Sequence, residues 1–308
     1  GIGASSRGAF TGVAPKAYLI DVRVTDDIGR GSTSDVVAGL QWIYENRVKF
    51  NIRVVNLSLN SSVAESYLTS PLDAALEVLW FNRIVVVVSA GNNGGTQSGV
   101  LYPPANDPFV ITVGATDDKG TVTIADDEIA GFSAFGITSE GFNKPDIVAP
   151  GRNIISLLAS DDCNISLSHP GNIVQSANGV HYLRISGTSM SSAVVAGAAA
   201  LLIQDLPDLT PDQIKYRLMA TANKDWSHYT SAQAGAGYLD ILAAVNGTTT
   251  QSANTNIVAS NLLWTGSVPA VWGSVNWNSI NWNSVNWNSV NWNSVNWNSV
   301  NWTSVSWE

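Results

Sequence analysis

Residues Ile185-Ser186-Gly187-Thr188-Ser189-Met190-Ser191-Ser192-Ala193-Val194-Val195-Ala196-Gly197-Ala198-Ala199-Ala200-Leu201-Leu202 join a tight polar turn to a run of small apolar residues. The run predicts a buried helix from about Ser189 to Asp205. The turn lifts the Ser189 hydroxyl to the helix N-terminus, where peptide dipoles favour developing negative charge. A serine so placed attacks a carbonyl when a base and an oxyanion site are near. Taken alone, Gly187-Thr188-Ser189-Met190 reads first as a serine capping a helix, so the flanking sequence must decide.

Outward from this turn, apolar runs alternate with helical patterns. Strands are expected at Ala17–Val24, Arg53–Leu59, Ile84–Ala90, Phe109–Gly114 and Ile147–Pro150. The bare β-branched run from Ile84 predicts a strand covered on both faces. Ser34–Asn46 carries Val36, Val37, Leu40 and Ile43 at helical spacing. Ser70-Pro71-Leu72-Asp73 opens a helix with an N-cap, a proline at the first position and an acid at the third, and Thr210-Pro211-Asp212-Gln213 opens another with a capping box and a proline at the first position. Such alternation predicts an α/β fold, a three-layer sandwich with a mostly parallel central sheet and helices on both faces. In such folds functional groups gather at the carboxyl ends of strands.

The chain has 308 residues, 45% of them hydrophobic and only 13% charged, with a net charge of −9. So few basic residues exclude a nucleic-acid partner. No apolar run is long enough for a membrane span. Cys163 is the only cysteine, so no internal disulfide can form. Its acidic neighbours Asp161 and Asp162 disfavour a thiolate. Composition changes after Val245. Residues 246–270 read as a linker, and residues 271–308 form a tail of Asn-Trp-Asn-Ser-Val pentads with Trp at every fifth position from 272 to 307.

Three separated segments share one reading: Val87-Val88-Ser89-Ala90-Gly91-Asn92-Asn93-Gly94, Val54-Val55-Asn56-Leu57-Ser58-Leu59 and Gly187-Thr188-Ser189-Met190. Together they resemble the subtilisin-like serine proteases. The likeness covers roughly residues 8–245, and the peptidase domain is assigned to residues 1–245. Gly12-Val13-Ala14-Pro15, Tyr102-Pro103, Lys144-Pro145-Asp146, Ala149-Pro150-Gly151 and Gly237-Tyr238-Leu239-Asp240 agree with it. The resemblance implies a serine endopeptidase acting on peptide or protein substrates outside the cell. It implies Ser189 as nucleophile and Asn92 as a side-chain donor to the oxyanion, beside the Ser189 backbone N–H. Gly29-Arg30-Gly31 and Ser58-Leu59-Asn60 would form the two walls of a cleft that binds a peptide as an added strand. Ala90 and Gly91 would complete the substrate-binding surface. A plain turn at Asn92 and a plain loop at Gly29–Gly31 are the simpler alternatives.

Departures from the family pattern are local. Ala193 stands where the family usually has Pro, Val194 where His is common, and Asn60 where Gly is usual. The family's catalytic His and Asp lie upstream of the Gly-Val-Ala-Pro segment. His169, His181 and His228 all fall too late in the order and lack the motif. The expectation is therefore a copy truncated at its N-terminus, inert as it stands. No cofactor is needed for the chemistry. The family often holds structural Ca²⁺, and Asp146 matches a weak cation position.

A period of five suits neither a strand nor a helix, and a coil with stacked pentads is one way to use it. The tail is either structural or an attachment module meeting glycan or cell surface. Two functions of another class stay open: a peptide-binding pseudoprotease, and a surface-attachment protein acting through the tail.

Overall fold

The computed structural model describes residues 10–27, 29–95, 99–263, 272, 291–292, 295–296 and 304–306. Its centre is a parallel sheet. Strands β2 (Val54–Leu57), β4 (Val85–Ser89), β5 (Ile111–Asp117) and β9 (Ile147–Pro150) follow one another across it, all parallel. Strand β6 (Glu128–Ile129) adds antiparallel to the end of β5. All five residues of β4 are buried. Side chains alternate across a sheet, so burial of both sets means that helices cover both faces.

Helix α4 (Thr188–Asp205) crosses β2, β4, β5 and β9. Its small residues permit this close approach: Ala196, Gly197, Ala198 and Ala199 are all buried. Helix α2 (Pro71–Phe81) packs on β4 and on α1 (Thr33–Asn46). The capping chemistry is as the sequence predicts. Ser70 Oγ accepts the Asp73 N–H at 3.3 Å, and Thr210 and Gln213 close a reciprocal box at the start of α5 (Pro211–Ala220). Helix α1 also opens with a box, Ser32 with Asp35, which the sequence reading missed.

A peripheral sheet of β10 (Ile154–Leu157), β12 (His181–Ile185) and β11 (Ile173–Gln175) carries the chain to the turn before α4. The hairpin β7 (Gly136–Ile137) and β8 (Asn143–Lys144), the short helices α3 (Asn164–Ser168) and α6 (Ser231–Ala234), and α7 (Ile241–Asn246) complete the body.

Two expectations need correction. No ladder forms over Ala17–Val24. The segment borders an open groove of about 1310 Å³ beside β2 and α4, and Tyr18 is 101% and Leu19 63% exposed. Strand propensity needs a neighbouring strand to satisfy its backbone, and none lies alongside among the described residues. The second concerns the expected linker, which up to residue 263 is a strap laid on the body. The Asn254 amide donates to Phe109 O at 3.0 Å and Asp212 Oδ1 at 2.8 Å, Tyr67 donates to Val258 O at 2.8 Å, and Leu262 and Leu263 are buried. Trp272 is buried too, 5.9 Å from the Tyr44 ring.

In the tail, β13 (Asn291–Trp292) and β14 (Val295–Asn296) pair antiparallel. Strand β15 (Ser304–Ser306) pairs antiparallel with β1 (Gly31–Ser32) and β3 (Asn60–Ser61). The remaining pentads, and any coil they make, lie outside the described residues.

Candidate active site

The parallel strands deliver two turns to one place. Strand β4 ends at Ser89, and the chain turns through Ala90, Gly91 and Asn92. Gly91 takes φ 103°, a backbone conformation open to glycine and little else. The chain returns along β12 and turns through Ser186 and Gly187 into α4. The Asn92 Oδ1 joins the two turns: it accepts the Thr188 N–H at 2.9 Å and the Thr188 hydroxyl at 3.0 Å. The Gly91 N–H in turn donates to Thr188 Oγ1 at 3.2 Å. These bonds fix the Asn92 amide with its oxygen toward Thr188, one residue before Ser189.

Gly187 is the N-cap of α4, so Ser189 lies inside the first turn and is not the cap. That geometry removes the bland reading of the motif. Behind it, Ser58 Oγ donates to Ser189 O at 3.0 Å, and Ser192 Oγ donates to the same carbonyl at 2.9 Å. Asn56 Nδ2 holds Ser58 Oγ at 2.9 Å. The end of β2 therefore clamps the first turn of α4. Gly151, at the end of β9, closes the other side: its carbonyl accepts the Gly187 N–H at 2.9 Å. A Cβ there would lie 2.2 Å from Ser191 Oγ and 2.7 Å from Ala115 Cβ, so the backbone approach demands glycine.

The two expected walls face one another across a gap. Gly29 and Arg30 form a turn in which Asp26 Oδ1 accepts the Arg30 N–H at 2.8 Å, and Gly31 begins β1. Asn60 begins β3 directly after Ser58 and Leu59. With its amide turned to donate, Asn60 reaches Leu59 O at 2.7 Å and Ser89 O at 3.3 Å, which ties this wall to the end of β4. Since β15 pairs with both β1 and β3, the walls stand two strand spacings apart, roughly 10 Å.

Asp146 does not behave as a cation ligand. Its Oδ2 accepts from Lys144 Nζ at 2.8 Å and from the Thr112 N–H at 2.8 Å, and its Oδ1 lies 3.2 Å from Lys215 Nζ. Burial pushes this carboxyl up, but the two ammonium groups outweigh it and hold it below the usual range. Burial lowers Lys215 to about 8, against the pull of Asp146. Two positive charges already fill the place that a metal ion would take. Among the described residues no group of three or more His, Cys, Asp and Glu could hold a metal.

His181 is engaged elsewhere, with its Nδ1 2.8 Å from Asp161 Oδ1. The sequence reading also passed over a buried acidic group near the start of α2. Asp73, Glu77 and Asp107 are each fully buried, and burial pushes all three upward, Asp107 to about 7.

Known proteins resemble this chain in sequence and fold. The chain matches the Subtilase family over residues 1–263. It belongs to the subtilases. This subtilase is 37% identical over 250 residues to serine protease AprX of Bacillus subtilis, covering 80% of this chain and 55% of that one. It is 32% identical over 237 residues to subtilisin DY of Bacillus licheniformis, covering 76% and 70%. The subtilase chain thus spans little more than half of AprX. Among solved structures, fervidolysin from Fervidobacterium pennivorans, a keratinolytic enzyme related to subtilisin, aligns with a TM-score of 0.59 at 27% identity, over 78% of this chain and 34% of that one. A cold-adapted subtilisin-like serine proteinase aligns with a TM-score of 0.54 at 28% identity, over 78% and 69%.

Proposed function

We propose that this chain carries the nucleophile half of a serine endopeptidase that cleaves peptide bonds by acyl transfer through Ser189. The observation that supports this most is the bonding of Asn92 Oδ1 to Thr188, which links the carboxyl end of β4 to the first turn of α4. An amide held by its oxygen keeps its nitrogen as the donor. Asn92 Nδ2 and the Ser189 backbone N–H then stabilise the negative oxygen of the tetrahedral intermediate. The role of the Ser58 and Ser192 hydroxyls is positional: they hold the Ser189 carbonyl so that the nucleophile's backbone does not drift.

The hydroxyl needs an imidazole base and a carboxylate to orient it. We assign neither to His169, His181 or His228, and infer that residues beyond these 308 supply them. The chain alone is then inert. Substrate is peptide or protein, bound by its main chain between residues 29–31 and 58–60, with Ala90 and Gly91 beneath it. The setting is extracellular. No helix among the described residues is long and apolar enough to cross a membrane. The chemistry calls for no cofactor, and any structural Ca²⁺ binds at a place other than Asp146.

The test is labelling of the full-length protein by a fluorophosphonate. Labelling that vanishes in Ser189→Ala supports the proposal, and an unlabelled protein defeats it in favour of a peptide-binding pseudoprotease. Asn92→Ala should retain KM and lose about 10²–10³ in kcat, a magnitude that comes from a subtilisin.

A further inference from the structure

The two walls of the cleft are not empty edges. Strand β15 lies between them, with Val305 opposite both Gly31 and Ser61, Ser304 opposite Ser32, and Ser306 opposite Asn60. We propose that residues 304–306 of the repeat tail are an intramolecular occupant of the peptide cleft, and that the tail regulates the site by competing with substrate. The proposal rests on the protease reading for its consequence, but not for the docking itself.

Three features carry it. First, β1 and β3 are each two residues long and have no other strand partner among the described residues. Short strands of this kind, at a sheet edge, template an incoming strand. One strand between them pairs with both at once. Antiparallel pairing with both makes this the mode in which main-chain hydrogen bonds supply affinity.

Second, the occupied register is functional. Ser58 lies two residues before Asn60, and its hydroxyl contacts Ser189 O at 3.0 Å. An antiparallel strand that passes Asn60 at residue 306 therefore runs toward the nucleophile. Residues 304–306 fill positions on the amino-terminal side of the reacting bond, and a substrate cannot pair with either wall while they are there.

Third, the sequence at this point leaves the pentad. The regular unit surrounds Ser-Val with Asn, which is depleted in strands. The last unit reads Thr303-Ser304-Val305-Ser306, with Thr and Ser replacing those Asn. Thr and Val favour extended chain. This departure from the repeat thus falls on a described segment of the tail that pairs with the body. Length is no obstacle. Trp272 packs beside Tyr44 near the end of α1, whereas β1 immediately precedes that helix. The span is on the order of 20 Å at 1.5 Å per residue, and residues 273–303 reach several times that distance when extended at ~3.3 Å per residue.

The experiment uses the full-length protein in a Cys163→Ser background. Asn60→Cys with Ser306→Cys should form a disulfide within one chain on mild oxidation, whereas Asn60→Cys with Ser299→Cys should not. This reports docking whether or not the protein is active. A disulfide between two chains, or equal cross-linking of the control, overturns the intramolecular occupant. Where fluorophosphonate labelling shows an active enzyme, deletion of residues 303–308 and Val305→Pro should each lower the KM for a peptide substrate about tenfold with kcat unchanged. Proline removes the strand's N–H from the ladder. A synthetic peptide of residues 301–308 should then inhibit the deleted enzyme competitively. Unchanged KM and no competition overturn the regulatory role. Absent labelling defeats the protease reading and leaves the cross-link to decide the docking.

Discussion

The two edges of the central sheet are finished to different degrees. Beyond β9 the edge is sealed. Val148 N–H donates to Gly237 O at 3.0 Å, its carbonyl accepts the Leu239 N–H at 2.9 Å, and Asp146 with Lys144 and Lys215 sits buried below. Beyond β2 the edge is open among the described residues: residues 17–24 run past a wide groove without joining the ladder. Most of the support for the turn that carries Ser189 comes from the sealed side and centre, through Gly151, Thr188 and the end of β4. The open side offers only the Ser58 clamp. One chain can therefore hold the Ser189 turn in place while, among the described residues, the side facing the groove has no strand partner.

Substitutions that treat the two edges alike should separate them. The largest effect is expected for Lys215→Met. It strips an ammonium from Asp146 and from the carbonyls of Pro108 and Val110, which it meets at 2.6 Å and 2.9 Å. Breaking a buried pair from one side costs about 3–5 kcal/mol, read as a lower urea midpoint with unchanged m. If Lys215→Met unfolds no more readily than the parent, the sealed edge is not what anchors the fold.

Matched glycine changes come next. Gly151→Ala should cost about 1–3 kcal/mol by overpacking and should also depress turnover in the full-length enzyme, because it presses on Ser191 and on the turn before Ser189. Gly39→Ala crowds only Val24 Cγ1 at 2.6 Å and Val22 Cγ1 at 3.2 Å, both on the open side. That segment can give way, so the change should stay within about 0.5 kcal/mol. Equal losses by calorimetry would erase the distinction between the edges.

A pH titration probes the interior between them. Asp107 is raised to about 7 by burial, and Asp73 and Glu77 shift the same way. In the unfolded chain these carboxyls ionise first, from about pH 4. Between about pH 4 and 7 the folded state therefore holds more protons, and stability falls as pH rises, by up to about 1.4 kcal/mol per unit for each group. Asp107→Asn should flatten this slope in melts taken from pH 4.5 to 7. A slope of the same size in the variant would sink the assignment. The smallest effect is Tyr18→Ser, within about 0.5 kcal/mol for so exposed a side chain, with reduced binding of an apolar dye as its signature.

Much of this was legible in the residues. Continuous burial of β4, the α4 run of small residues and the caps at Ser70 and Thr210 are local codes, and they fold as they read. What escaped depended on partners distant in sequence. Ala17–Val24 has strand-forming residues, but no neighbour to pair with among those described. Asp146 resembled a cation position until Lys215 came alongside, 69 positions later in the chain, with an ammonium in that space. The polar composition of residues 246–263 suggested a loose connection because its anchors are single side chains, Asn254 and Ser260, that meet α5 and α2 from far away. The pentad period revealed the repeat. It did not reveal that the irregular last unit meets the walls at Gly31 and Asn60.

The strap over residues 249–263 has a consequence for how such proteins diversify. Its bonds to Asp212, Phe109 and Leu68 make it part of the folded body, so a cut before residue 263 removes core. Among the residues whose burial is described, Trp272 is the last in the core. That junction is where one C-terminal cassette can be exchanged for another, or lengthened unit by unit, without renegotiating the architecture that holds Ser189.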